Sequence, residues 1–430
     1  MNILKIITFN QKYYLFDGFS NEIYEISSQS DLDNITIQDI ETNTEKQSLI
    51  PLQHNKKVIN EAKTLVLEIT EQCNLRCSYC VFDEDYENER SHGTLKMEVD
   101  TAFKAIDNFR SRVSDNEAFI VFYGGEPLLN FKFIIEVTNY AKTLFNKNIK
   151  FSFTTNGVLL TKDKIDFLIE NNFLITVSLD GDKTTHDKYR LDNNKKKTHD
   201  TIMKNLELIN SSNHTYYNKY IQTTCVVNDT AEIEPINKFF SQNKLIKNTN
   251  VRFSDQIQKF KTLSNFRKNE FTKDYILNLI YTKDILNNPI QYKYFGDLIS
   301  KIKYRLIGDK AHDRKVKCIP FSNRTYVRTD GNVQFCERIE NMGITKLNNE
   351  EILKTSNNFL KEYENFKSND CNQCVAYNYC EMCYASFITN GKLDKNKATI
   401  KCNSFKNDFK ISLEIYLELM EKNENLLDIF

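Results

Sequence analysis

The 430-residue chain carries no net charge: 58 Lys plus Arg balance 58 Asp plus Glu. That balance argues against broad binding to nucleic acid or to an anionic membrane, both of which draw on a surplus of basic side chains. No apolar run approaches the ~18 residues that cross a bilayer. The opening MNILKIITFNQKYY has no signal-peptide core or cleavage site, so the expected location is the cytoplasm. Tryptophan is absent, and Asn, Lys and Ile are abundant, which speaks of coding bias more than of function. No internal repeat or low-complexity tract stands out. Length alone points to two or three domains.

What the chain does have is cysteine, eleven in all. A cytoplasmic compartment keeps thiols reduced, so metal sites are a better reading than disulfides. Cys73, Cys77 and Cys80 form C-x3-C-x2-C directly after the strand-like run TLVLEIT. Three thiolates from one short loop can hold three irons of a cubane cluster and leave the fourth iron open to a substrate or cofactor. A zinc site with a distant fourth ligand is the plainer alternative. A second group contains Cys318, Cys336, Cys371, Cys374, Cys380, Cys383 and Cys402, with structural zinc again as the alternative. Cys225 lies in TTCVV, an apolar strand-like run, and reads as a small buried hydrophobe. Open clusters react with oxygen, so an anaerobic or low-oxygen setting is expected.

From residue 64 onward, strand-like and helix-like segments alternate. The strands are expected at 64–70, 118–123, 150–155, 173–179, 220–228 and 251–254. Val99, Phe103, Ile106, Phe109 and Val113 recur at helical spacing, and 131–144 and 163–170 read the same way. Six β-then-α units imply an α/β fold, a partial (β/α)6 barrel with parallel strands and its site at their carboxyl ends. Residues 1–62 form a β-rich segment, with strands near 6–10, 13–16 and 23–26, followed by a polar linker. Residues 63–260 are the barrel and 261–315 connecting helices. Residues 316–430 are a cysteine-rich domain ending in a helix around 410–424. Lys195–Lys197 reads as a solvated loop.

The strand ends carry further motifs. Tyr123-Gly124-Gly125-Glu126-Pro127 closes the second, Thr154-Thr155-Asn156-Gly157 the third and Ser178-Leu179-Asp180-Gly181 the fourth. His186-Asp187-Lys188-Tyr189-Arg190 follows. Alone, each reads as a turn or a surface ion pair. In order after the cysteine triad, they resemble the radical S-adenosylmethionine (radical SAM) superfamily. The resemblance implies that a [4Fe–4S] cluster on Cys73, Cys77 and Cys80 binds S-adenosylmethionine and cleaves it to a 5′-deoxyadenosyl radical. It further implies that Gly124, Gly125 and Glu126 meet the methionine amino group, glycines baring backbone to a close ligand. Ser178 and Arg190 would then meet its carboxylate, with Tyr79 near the adenine and Thr154 and Asn156 also lining the cofactor.

The second cysteine group resembles the SPASM extension of peptide- and protein-modifying radical enzymes, which holds two auxiliary clusters. Here two residues separate Cys380 from Cys383 where that pattern has three. By resemblance, Cys371, Cys374, Cys380 and Cys402 hold a distal cluster, and Cys318, Cys336 and Cys383 a proximal one. Counting ligands without Cys225 leaves one auxiliary cluster a thiolate short. A substrate thiolate, a water, another side chain or Cys225 itself could complete it. Glu337 matches an acidic position that serves as a base in related enzymes; an exposed glutamate is the plainer alternative.

The stretches around Cys73–Cys80, 86–92, 122–131, Val327 to Arg338 and Cys371–Cys383 resemble thioether-forming maturases of cysteine-rich ribosomal peptides. That implies a precursor peptide with a leader as substrate, and an electron donor such as flavodoxin or ferredoxin. The first 62 residues would correspond to a winged-helix-like element that captures the leader by strand addition, with a structural cap as the alternative. Rival activities are carbon–carbon (cyclophane-type) crosslinking and the oxidation of Cys or Ser to formylglycine in anaerobic sulfatase maturation. A non-catalytic peptide-binding or electron-relay protein is the rival from another class.

Overall fold

The computed structural model describes residues 3–18, 20–35, 62–80, 92–113, 118–145, 149–255, 271–307, 319–339, 342–371, 373–380, 382–422 and 424–430. Cys318, the 86–91 stretch and much of the polar linker lie outside the described residues.

The N-terminal segment forms an antiparallel sheet of three strands: β1 (Ile3–Ile7), β2 (Tyr13–Asp17) and β3 (Glu22–Ile26), with β2 in the centre. The first strand starts earlier than its expected 6–10, because Ile3 pairs with Asp17 and Ile7 with Tyr13. A short helix, Gln29–Asn34, follows, its N-terminus capped by Ser28.

The apolar run that follows becomes β4 (Thr64–Thr70), buried from Leu65 onward on both faces, as a central parallel strand must be. Next come β5 (Ala118–Gly124), β6 (Ile149–Thr155), β7 (Leu174–Ser178), β8 (Ile221–Val227) and β9 (Asn250–Asp255). Each pairs parallel with its predecessor, as the alternating pattern predicts. Helices Val99–Arg110, Phe131–Phe145 and Lys162–Glu170 supply crossovers. In the first, Ala102, Ala105, Ile106 and Phe109 form the buried face. Phe122, Phe151 and Phe173 stack beneath the sheet, with centroids 5.3–6.4 Å apart.

The sheet is larger than six strands. Its order is β11-β10-β4-β5-β6-β7-β8-β9. The added strands, β10 (Arg324–Val327) and β11 (Val333–Gln334), come from the cysteine-rich part. β10 lies parallel to β4, pairing Arg324 with Thr64, while β11 is antiparallel to β10. Buried Arg112 fixes this junction, donating to Thr325 Oγ1 (3.0 Å) and to the Phe321 carbonyl (3.3 Å). The cysteine-rich domain is therefore continuous with the barrel sheet. Helices Lys273–Tyr281 and Pro289–Ile307 connect the two parts, and the last long helix, Lys395–Lys422, starts well before the expected 410. Among the described residues no helix is long and apolar enough to cross a membrane.

Candidate active site

Because β4 to β8 run parallel, their carboxyl ends share one rim. The loop after β4 carries Cys73, Cys77 and Cys80, each partly exposed, with Cys77 and Cys80 within electrostatic reach of Cys73. Cys73 Sγ accepts from the Leu75 amide at 3.4 Å, and Asn156 Nδ2 stands 3.9 Å away. Arg190 Nη1 is 3.9 Å from Cys77 Sγ, and His92 Nε2 is 3.9 Å from Cys80 Sγ.

Two features hold this loop. Gly124 has φ 140°, and a Cβ there would meet the Thr70 carbonyl at 2.0 Å. The Gly125 amide donates to Thr70 O (2.9 Å) and the Glu126 amide to Gln72 O (2.8 Å). The glycines thus let the end of β5 close onto the root of the cysteine loop. From the other side comes the segment after Tyr189. The Arg76 amide donates to Leu191 O, that of Ser78 to Tyr189 O and that of Asn193 to Asn74 O. This strap was not legible as a site element, because its backbone contacts carry no side-chain signature; Arg76 Nη1 also donates to Asn193 Oδ1 at 3.0 Å. Within it, Lys195–Lys197 forms a tight turn in which Asp192 accepts the Lys196 amide at 2.7 Å.

Glu126 is buried, 1 % exposed. Its oxygens accept from the Leu128 amide (3.0 Å), Thr155 Oγ1 (2.8 Å) and the Asn156 amide (2.8 Å). Burial raises its pKa. The carboxylate therefore ties β5 to β6 within the protein, a role that the sequence reading did not assign. Thr154 is exposed at the end of β6, and Asn156 is buried with Nδ2 on Asn74 Oδ1 at 2.8 Å. Ser178 is buried at the end of β7.

Asp180 organises the next sector. Oδ2 accepts from Arg190 Nε at 2.8 Å and from the Tyr79 hydroxyl, and Oδ1 from the Val226 amide at 2.9 Å. The Arg190 guanidinium lies 5.2 Å from the Tyr79 ring centroid, and Tyr79 is buried. Arg190 caps the helix Lys183–Tyr189, which starts on the Asp182 side chain. His186 of that helix accepts the Asp180 amide at Nδ1 (3.2 Å), which leaves Nε2–H for Thr198 Oγ1 (3.1 Å). Thr198 in turn donates to the Arg190 carbonyl at 2.8 Å. Burial depresses the His186 pKa to about 3, so the imidazole is neutral. Cys225 is fully buried, and its electrostatic neighbours are Asp180, Arg190 and Glu232.

Cys371, Cys380, Cys383 and Cys402 of the second thiol group all lie within electrostatic reach of Tyr363. Cys371, the last residue of the helix Asn349–Cys371, has Cys374, Cys380 and Cys402 as electrostatic neighbours. Cys336 has Cys383. Tyr384 Oη donates to the Phe335 carbonyl at 3.2 Å, which draws the Cys383 and Cys336 segments together. Among the described residues no three His, Cys, Asp or Glu side chains converge on a single ion. A cavity of about 270 Å³ opens beside Cys371 and Cys402, with Lys367, Lys395 and Lys406 in its wall. Glu337 is engaged by two Arg324 nitrogens, Nε at 3.2 Å and Nη2 at 2.5 Å. The Cys336 thiol donates to the same carboxylate at 3.4 Å.

The donor chemistry fits iron–sulfur clusters. Burial pushes Cys73 and Cys336 up to about 12 and Cys371 up to about 11. Such thiols keep their protons until metal charge replaces them. Amide donors on sulfur, Leu75 to Cys73 and Arg338 to Cys336 (3.4 Å), are contacts that tune such clusters.

Residues 67–233 match the family model described as the radical SAM superfamily. The cysteine-type anaerobic sulfatase-maturating enzyme of Clostridium novyi is 30% identical over 374 residues, 80% of this chain and 93% of that protein. The same-named enzyme of Clostridium perfringens strain 13 is 26% identical, over 74% of this chain and 87% of its own. A solved structure described as native anSMEcpe with bound AdoMet superposes with TM-score 0.62 at 21% identity, covering 84% of this chain and 99% of that one. The fold is thus the radical SAM fold. The chain belongs to the radical SAM superfamily, as a homologue of the anaerobic sulfatase-maturating enzymes, and is an enzyme whose family uses a [4Fe–4S] cluster and S-adenosylmethionine.

Proposed function

We propose that the chain is a peptide maturase that joins a cysteine sulfur to a carbon of a ribosomally made precursor peptide. Bound S-adenosylmethionine and the cluster supply a 5′-deoxyadenosyl radical, which takes one hydrogen atom from the peptide carbon. Cys73, Cys77 and Cys80 hold that cluster. Ser178 and Arg190 meet the methionine carboxylate, the Gly124–Glu126 turn its amino group, and Tyr79, Thr154 and Asn156 line the remainder. Closing the thioether removes a thiol proton and leaves one electron to depart. Glu337 is the candidate acceptor for the proton, and a flavodoxin- or ferredoxin-type carrier exchanges the electron.

One observation supports this reading: Cys383 is an electrostatic neighbour of Cys336, and the Tyr384–Phe335 hydrogen bond draws their segments together. By resemblance, Cys318 would join them to hold the proximal cluster, one thiolate short of a full set, and a substrate thiolate would complete it. Cys371, Cys374, Cys380 and Cys402 fill the distal one. Cys225 is a poor fourth ligand, because its neighbours belong to the barrel rim. Domain roles follow: 1–62 for the leader, 63–260 for radical generation, 261–315 as connector and 316–430 for the auxiliary clusters, all in the cytoplasm. β3 is an edge strand with backbone groups to offer an extended leader.

A second reading, oxidation of a substrate Cys to formylglycine, is favoured by the Clostridium novyi relative and its 93% coverage. Both begin with hydrogen abstraction and differ in whether a residue-to-residue bond forms. The test is anaerobic reconstitution, then incubation with S-adenosylmethionine, reductant and either a short Cys-rich peptide encoded beside the gene or a sulfatase-derived Cys peptide. Loss of two hydrogens with one fewer alkylatable thiol supports the thioether. Loss of two hydrogens with every thiol free indicates carbon–carbon coupling. Conversion of Cys to an aldehyde supports the second reading.

A further inference from the structure

The loop from Cys374 to Cys380 is gripped by the N-terminal sheet. Gly18, just after β2, sits so close to Val375 that a Cβ would lie 2.3 Å from its carbonyl oxygen and 2.6 Å from its Cα. Asn378 Nδ2 donates back to the Gly18 carbonyl at 3.0 Å. Phe16, with no exposed surface, packs against Tyr379 (6.3 Å between centroids) and Phe409 (5.5 Å). Tyr379 and Phe409 are themselves 4.7 Å apart, so one aromatic cluster joins β2, the cysteine loop and the final helix. Asn21 Nδ2 reaches the Arg305 carbonyl at 3.1 Å, and the Arg305 guanidinium lies 5.5 Å from the Tyr379 ring.

The helix Lys395–Lys422, which carries Cys402, is held from the same side. The Phe9 amide donates to Glu418 Oε1 and Asn10 Nδ2 to Glu421 Oε2, both at 2.8 Å. Three of the four distal thiols therefore sit on segments that the first 21 residues touch. A short loop between two cysteines has conformational freedom that ligation must remove, at ~1–2 kcal/mol per residue. Backbone-to-backbone closure at Gly18 and a buried aromatic wedge remove part of it beforehand.

We infer that the N-terminal sheet is a positioning element of the distal cluster site, setting the Cys374–Cys380 loop in register with Cys402. The inference rests on the reading that these thiols hold a cluster. It assigns Phe16, Gly18 and Asn378 a role distinct from leader capture, which would use the free backbone edge of β3.

The test uses the full chain, reconstituted anaerobically, with iron and sulfide counts, EPR of the reduced clusters and a redox titration of the distal signal. Cys402→Ala marks the distal component and Cys77→Ala the S-adenosylmethionine-responsive one. Gly18→Val should lose about four irons per chain, as one [4Fe–4S] unit. It should lose the component missing in Cys402→Ala and keep the cofactor-responsive one. Asn378→Ala should keep its iron and shift the distal potential, with Asn378→Gln restoring part of the shift. Full iron with unchanged distal signal and potential in both variants overturns the inference. So does loss of all components together, which would make the sheet a general cap. If Cys402→Ala itself loses no iron, the distal-cluster reading fails first and takes the inference with it.

Discussion

Asp180 and Arg190 form an ion pair inside the rim, Nε to Oδ2 at 2.8 Å, with side-chain exposures of 0% and 8%. Burial opposes the guanidinium's charge, and Asp180, Tyr79 and Cys77 together more than offset it. Asp180→Ala leaves that charge unpaired, so we expect a stability loss of about 3–5 kcal/mol in urea denaturation. Arg190→Lys keeps the charge and loses the planar fork. S-adenosylmethionine affinity, measured by equilibrium dialysis, should fall roughly 10- to 100-fold. Unchanged affinity would remove Arg190 from the cofactor site.

The two thiol groups should separate in function. Cys77→Ala should abolish 5′-deoxyadenosine formation, because it breaks the set that holds the cofactor-binding cluster. Cys402→Ala should spare part of that cleavage and lose peptide product. Full product from the second variant, read by mass spectrometry, would deny the distal set its role.

Acid should weaken the fold through His186. Its folded pKa is about 3, against an ordinary value near 6.5. Below pH 6.5 the unfolded chain takes up a proton that the folded chain refuses, so stability falls as pH falls toward 3. The slope is up to about 1.4 kcal/mol per pH unit from this one group. Urea denaturation at pH 7.0 and 5.5 checks it, with His186→Gln expected to flatten the dependence. An equal slope in the variant would place the acid sensitivity elsewhere.

Much of this site was readable beforehand, because parallel strands and strand-end motifs are local patterns. TLVLEIT announced β4 with the boundaries it has, Thr64–Thr70. The Gly-Gly-Glu turn and Arg190 were visible for the same reason. What was not readable depends on distant pairing. RTYV is too short to announce that it joins β4 across more than 250 residues, and β10 therefore came as an addition to the sheet. The carboxylate of Glu126 looked like a ligand's partner, yet it is held by Thr155 and two backbone amides. Periodicity also says nothing of close approach, so the contact of Gly18 with Val375 has no signature in the sequence.

Positive charge beside the distal thiols should set a potential. Lys367 lies within electrostatic reach of Cys371 and Cys402, and Lys406 of Cys402. A nearby cation favours the more negative, reduced state of a thiolate-held cluster. Lys367→Met and Lys406→Met should each lower the distal potential by roughly 40 mV, about 1 kcal/mol for one electron. An EPR-monitored titration reads the shift, and a shift upward would contradict the electrostatic argument.

Glu337 poses the sharpest question about the chemistry. Arg324 engages both of its oxygens, so accepting a proton requires the guanidinium contact to loosen. The Cys336 sulfur stands 3.4 Å from this carboxylate, so a substrate thiol held beside Cys336 would be close to it as well. Arg324 is 38% exposed, so the pair is screened by solvent and its loss should cost the fold no more than about 1 kcal/mol. Glu337→Gln should therefore fold normally and keep cleaving S-adenosylmethionine. If Glu337 takes up the thiol proton, product formation should drop about 10²- to 10⁴-fold while 5′-deoxyadenosine continues to accumulate. A parallel fall in both would instead mark a positioning ion pair, with Glu337 holding the Cys336 segment against β10 and another group receiving the proton.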